Sequence, residues 1–220
     1  MPTKWKEAIV KMIPKPIKDH TDPNGFRPIS LINTFSKLLE RIIQKGLVDW
    51  INSNKIISDF QSGFRKLRQT LDHLIRLLQK CLESFNKNKN LGAIFIDIEK
   101  AFDKVWHKGL LFELNKLQIP NYLGLWLKNY LNKRLLRVKI DSELSEAIEP
   151  LTGVPQGSVL GPILFNLYFN DITEIDTQAE LALFADDLAS WTVAKSSRII
   201  EERLICMGCL IWAVNFIKKK

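Results

Sequence analysis

The stretch 181–193 constrains the fold more tightly than any other part of the chain. Leu181–Phe184 and Leu188–Val193 are apolar, strand-forming runs, and the Ala185-Asp186-Asp187 segment between them leaves room only for a tight turn. A hairpin with two adjacent carboxylates at its tip follows. A second apolar run, Ala93–Ile98, reads as a strand buried on both faces, and it closes on another carboxylate, Asp97. Taken singly, an Asp-Asp pair is an ordinary polar turn and Asp97 is an N-cap for the next helix. Three carboxylates at the ends of apolar strands are costly together unless a cation compensates them.

The rest of the chain mixes strands and helices in an order that indicates an α+β domain. Ile9–Pro14 alternates like a strand, and Asp22–Gly25 supplies a turn with Lys15, Lys18 and Arg27 around it. Apolar positions recur at helical spacing over Ser36–Trp50 and Leu67–Phe85. A further helix-like stretch runs from Ala101 through Leu117, another covers Tyr122–Leu131, and Leu136–Ile140 alternates like a strand with one wet face. Repeats and low-complexity linkers are absent, so any subdomains are intimately joined.

Charge is unevenly placed. Residues 1–90 carry 17 Lys and Arg against 8 Asp and Glu, whereas residues 91–220 carry 15 against 16. A basic front half and a balanced back half suit a polyanionic partner, although a solvated lysine-rich surface would look the same by charge alone. No apolar run reaches the ~20 residues of a membrane span, and the N-terminus lacks a signal-peptide stretch, so the expectation is a soluble, intracellular protein with no membrane partner. Cys81, Cys206 and Cys209 cannot form an all-paired disulfide framework. Cys206 and Cys209 have a metal-like spacing but lack two further ligands, which favours reading them as small apolar core residues.

Gly153–Pro162 adds a third chemical segment. Its glycines and prolines fix a turn around Gln156, and a helix N-terminus follows, where backbone N–H groups favour phosphate or a base edge. Five blocks now stand in order: Phe26–Leu31, Gln61–Arg65, Phe95–Trp106, the Pro-Gln-Gly turn and Phe184–Leu188. In order and content they resemble the reverse transcriptases of retrotransposons lacking long terminal repeats, nearest in wording to the jockey type of arthropods.

The resemblance implies a right-hand polymerase fold, with helical fingers over residues 1–92 and a palm over 93–220 built on a small antiparallel sheet backed by helices. It implies that Asp97, Asp186 and Asp187 hold two Mg²⁺ ions, with Mn²⁺ as the substitute ion. Arg27 and Lys18 match the basic residues that grip the incoming triphosphate, with Lys15 a competitor for the second role. Phe102 matches the aromatic gate beneath the sugar, and Gln156 the residue that supports the nucleotide. Gly63, Arg65 and Arg68 fall in the template-facing block. Glu99 and Asp103 also lie near the first strand; they read as a solvated carboxylate and a helix-start residue, not as ligands.

The implied partners are an RNA template, a DNA primer and deoxynucleoside triphosphates, in the nucleus and in cytoplasmic ribonucleoprotein. Cys206–Phe216 resembles the helix before the primer-grip strand, so the expectation is a chain whose thumb is absent. A catalytically impaired partial copy, acting as a nucleic-acid-binding module, is the alternative. A viral RNA-dependent RNA polymerase shares the palm aspartates but calls for a polar residue in place of Phe102.

Overall fold

The computed structural model describes residues 1–175 and 178–217, the stretch 210–217 by its backbone alone. In chain order the elements are β1 (Glu7–Pro14), β2 (Phe26–Ile32), α1 (Thr34–Ser53), α2 (Thr70–Asn86), β3 (Asn90–Asp97), α3 (His107–Lys116), α4 (Asn121–Leu131), β4 (Leu135–Ile140), β5 (Glu143–Leu144), α5 (Gly161–Phe169), β6 (Glu180–Phe184), β7 (Asp187–Ala194) and α6 (Ser197–Ile217). The α+β expectation holds.

These elements form two compact units, one of residues 1–56 and 102–165, the other of residues 57–101 and 166 onward. The boundary expected at residue 92 between fingers and palm does not coincide with the limits of either unit. In the first unit, a mixed sheet has the order β2-β1-β4-β5. β1 pairs antiparallel with β2 and parallel with β4, so Ile9 sits opposite both Leu31 and Arg137. Helical spacing on α1 and α4 brings Leu47, Leu123, Leu127 and Tyr130 into a core with Leu110 and Leu114 of α3, all essentially inaccessible to solvent.

The second unit is built on an antiparallel sheet of order β3-β7-β6. Its core includes Leu181, Leu183, Leu188 and Trp191, together with Ala194, Ile200 and Leu204, against which Ile94 packs. α6 lies along β3 and β7. Among the described residues no helix is long and apolar enough to cross a membrane.

Three local expectations are corrected. β3 is an edge strand, not one buried on both faces; none of its residues is fully buried, and Phe95 is 75% exposed. An all-apolar run cannot distinguish an edge from a centre, and here the centre is β7. The helix expected from Ala101 onward is a 3₁₀ turn at Phe102–Lys104 followed, after a break, by α3. Tertiary pairing causes the break: Gly153 N donates to Val105 O, Val154 N donates to Phe102 O, and Trp106 bridges Thr152. Cys206 and Cys209 are exposed on α6 and are not core residues.

Candidate active site

The carboxylates are brought together by strand register. Asp97, last in β3, lies opposite Asp187, first in β7, and Phe184 closes the other side of Asp187. Directly opposed residues of an antiparallel pair project from the same face with Cβ atoms about 4.5–5.5 Å apart. Asp186 occupies the two-residue turn with Ala185, whose φ of 58° is left-handed. Asp97 and Asp187 are exposed, and among the described residues no salt bridge engages either.

Two carboxylates thus face each other, and among the described residues no salt bridge compensates either. All the donors are hard oxygens, which fits Mg²⁺ or Mn²⁺ and not a softer zinc site. Among the described residues no three His, Cys, Asp or Glu side chains close into a cage. A protein-only cage is not required where substrate phosphates and water complete the octahedron.

An open recess of roughly 350 Å³ adjoins Asp97 and Asp187, walled by His73, Leu74, Phe95 and Leu188. His73 Nε2 donates to Leu183 O at 3.1 Å, and desolvation holds its pKa below the ordinary histidine value.

The first unit carries the residues assigned to the nucleotide. Phe102 stacks on Phe165 of α5, ring centroids 4.7 Å apart, so one of its faces is fixed by packing. Gln156 sits in a turn held against β2: Ser30 N donates to Gln156 O at 2.7 Å. Gly157 takes φ 110°, and a Cβ there would press on Ser30 O, so the turn needs glycine. The Gln156 amide donates through Nε2 to Asp103 Oδ1 at 3.0 Å, which leaves its Oε1 end defined. Asp103 therefore orients Gln156, a role that its position at a helix start did not suggest.

Beneath this turn lies a buried polar cluster that sequence reasoning missed. Glu40 of α1, fully buried, accepts from Ser158 Oγ at 2.9 Å and from Val159 N at 2.7 Å. Ser158 Oγ in turn accepts from Leu160 N and Gly161 N, capping the start of α5. Tyr130 Oη lies 2.8 Å from Ser158 Oγ; burial pushes its pKa up, and the Arg134 guanidinium sits 4.5 Å over its ring. His107 Nε2 donates to Gly153 O at 2.7 Å at the mouth of the same turn. A Glu within a helical heptad and a lone histidine give no sequence signal for these roles.

Arg27 lies on β2 opposite Ile13, and its side chain is exposed. Lys18 is exposed on the preceding loop, whereas the Lys15 ammonium donates to Asn24 O at 3.2 Å. In the second unit the Arg65 guanidinium donates to the carbonyls of Ser58 and Gln61, bracing its own loop, and Arg68 pairs with Asp59. Gly63 packs against the backbone of Ala185. The structure thus gathers Asp97, Asp186 and Asp187 in one unit and Phe102 and Gln156 in the other.

The chain belongs to the reverse transcriptase (RNA-dependent DNA polymerase) family, whose profile matches residues 13–210. It is 41% identical over 204 residues to the "RNA-directed DNA polymerase from mobile element jockey" of Drosophila melanogaster, covering 89% of this chain and 22% of that protein. It is 39% identical over 229 residues to the "Probable RNA-directed DNA polymerase from transposon BS" of the same species, covering 99% of this chain and 25% of that one. The chain therefore spans about a quarter of the length of the curated relatives it matches. Among solved structures it is similar to telomerase from Candida tropicalis bound to a fragment of telomeric RNA. The TM-score is 0.63 at 14% identity, over 92% of this chain and 38% of that one, which supports the polymerase fold.

Proposed function

We propose that this chain is the fingers and palm of an RNA-directed DNA polymerase of a retrotransposon lacking long terminal repeats, which adds deoxynucleotides to a primer 3′-hydroxyl with two divalent ions. The observation that carries this reading is the cross-strand opposition of Asp97 and Asp187 with Asp186 in the connecting turn. These carboxylates would hold the ions. Bound there, divalent ions would lower the pKa of the primer hydroxyl and neutralise charge on the departing pyrophosphate.

The protein side of the reaction is positioning and charge neutralisation. Arg27 and Lys18 bind the triphosphate, the Arg27 guanidinium through paired hydrogen bonds. Gln156, its amide oriented by Asp103, supports the base pair. Phe102, its ring backed by Phe165, fills the space that a ribose 2′-hydroxyl needs and so selects deoxynucleotides. Arg65 and Arg68, on the loop that Gly63 closes against Ala185, belong to the surface along which the template runs, where phosphate contacts position the strand without reading sequence.

The test is primer extension by the purified chain on a DNA primer annealed to RNA, one deoxynucleotide supplied at a time. Extension only with the nucleotide complementary to the template is expected. Retained template binding with no extension, under conditions where a jockey polymerase extends, would replace this reading with a nucleic-acid-binding module.

A further inference from the structure

We propose that Gln61 is a positioning residue for the carboxylate hairpin: its side-chain amide clasps both backbone polar groups of Ala185 and so sets where Asp186 and Asp187 point. Gln61 Oε1 accepts from Ala185 N at 3.0 Å and from Gly63 N at 2.8 Å, while Nε2 donates to Ala185 O at 3.2 Å. Two N–H donors on one end and a carbonyl on the other leave the amide a single orientation.

The clasp answers a specific need of this turn. Ala185 is a non-glycine residue at φ 58°, and it is buried. The loop residues of a two-residue hairpin have no ladder partners for their outward N–H and C=O groups, and water satisfies them when the turn is exposed. Here water is excluded, and Gln61, only 2% exposed, supplies both partners from another segment of the chain. Its amide therefore stabilises a strained backbone that would otherwise relax to a right-handed turn and swing the following carboxylates.

The surrounding loop is built to deliver that amide. Leu183 N donates to Phe60 O and Ser62 N donates to Leu183 O, which lays residues 60–62 alongside β6 as a short parallel bridge. A Cβ at Gly63 would collide with the Ala185 backbone, so only glycine lets the loop close on the turn. Asn166 Nδ2 donates to Gly63 O at 2.8 Å and pins the loop from α5, while Arg65 holds the carbonyls of Ser58 and Gln61. The Gln61–Arg65 block thus serves the carboxylates as well as the template side assigned to it by resemblance.

This inference rests on the polymerase reading for its effect on rate, but the clasp is testable apart from it. Gln61→Ala should lower kcat for single-nucleotide incorporation on the order of 10- to 100-fold, as expected for misplaced catalytic groups. The Mg²⁺ concentration for half-maximal rate should rise with it, while KM for the nucleotide stays within about 3-fold. Gln61→Glu keeps an oxygen for the two N–H donors but turns its other carboxylate oxygen on Ala185 O, so it should lose at least as much rate as Ala, and because it keeps the size of the side chain that loss is not one of truncation. Ala185→Gly in the Gln61→Ala background removes the left-handed cost and should restore part of the lost rate. If the parent extends no primer, the polymerase reading fails, and the clasp is then read from the Mg²⁺-induced rise in melting temperature. That rise should shrink in Gln61→Ala and recover with Ala185→Gly. Equal kcat and equal Mg²⁺ dependence in parent, Ala and Glu variants, or no rescue by glycine, would overturn the proposal.

Discussion

Replacing Asp187 by Asn should make the metal-free protein more stable and deprive it of its response to Mg²⁺. Asp97 and Asp187 are opposed across β3 and β7 and exposed to water. At a carboxylate separation of about 5 Å and a dielectric constant near that of water, their repulsion is roughly 0.8 kcal/mol, falling to ~0.5 kcal/mol at physiological ionic strength. For a chain of this size that corresponds to about 1–2 °C in melting temperature. The opposite effect appears with metal. An ion present at about 100 times its Kd stabilises the parent by ~2.7 kcal/mol, or roughly 5–10 °C, and the Asn variant by much less. The assay is thermal unfolding followed by circular dichroism, in chelator and across a Mg²⁺ series, for parent, Asp187→Asn and Asp97→Asn. An Asn variant that melts no higher than the parent in chelator, and climbs equally with Mg²⁺, would refute the argument that this opposed pair is a cation site.

Other outcomes follow from neighbouring parts of the site. Phe102→Val should raise the ratio of kcat/KM for ribonucleotide over deoxynucleotide at least ~10-fold with modest loss on deoxynucleotide, because the ring backed by Phe165 no longer fills the 2′ position; an unchanged ratio would make Phe102 a packing residue only. Glu40→Ala leaves Ser158 Oγ and Val159 N without their buried acceptor and should cost about 3–4 kcal/mol in urea unfolding, against about 1 kcal/mol for Glu40→Gln, which keeps an acceptor. Burial lowers the pKa of His107 and of His73, so the unfolded chain binds more protons than the folded one just below about pH 6.5. Stability should therefore be full near neutrality and fall as pH drops from roughly 7 towards 5, and His107→Gln should flatten that slope in urea midpoints measured across the range.

The carboxylate hairpin was legible in the sequence because two apolar runs around Ala185-Asp186-Asp187 admit a single local structure. Asp97 was legible for the same reason, as the polar end of an apolar run. What sequence could not supply was the partner of each element. β1 pairs in parallel with β4 more than a hundred residues later, and nothing in the alternation of Ile9–Pro14 specifies that neighbour. The same blindness turned the edge strand β3 into a buried one, and joined the Phe102–Lys104 turn to α3 where pairing with residues 152–154 separates them. At the site, Gln61, Asp103, Glu40 and His107 act through tertiary hydrogen bonds to residues 46 to 124 positions away. Their residue types have no periodicity or local motif that reports such a bond.

The central claim is that Asp97, Asp186 and Asp187 hold divalent ions for nucleotidyl transfer, and one measurement reaches it most directly. Single-deoxynucleotide incorporation on an RNA template would be followed across a Mg²⁺ series for parent and Asp186→Asn, with template–primer binding measured in parallel. The account predicts incorporation that rises with Mg²⁺ in the parent and is abolished at every Mg²⁺ concentration in the variant. Binding should stay within a few-fold, because a metal ligand acts mainly in the transition state while basic side chains carry affinity. Incorporation by Asp186→Asn at the parental rate and with the parental Mg²⁺ dependence would contradict it.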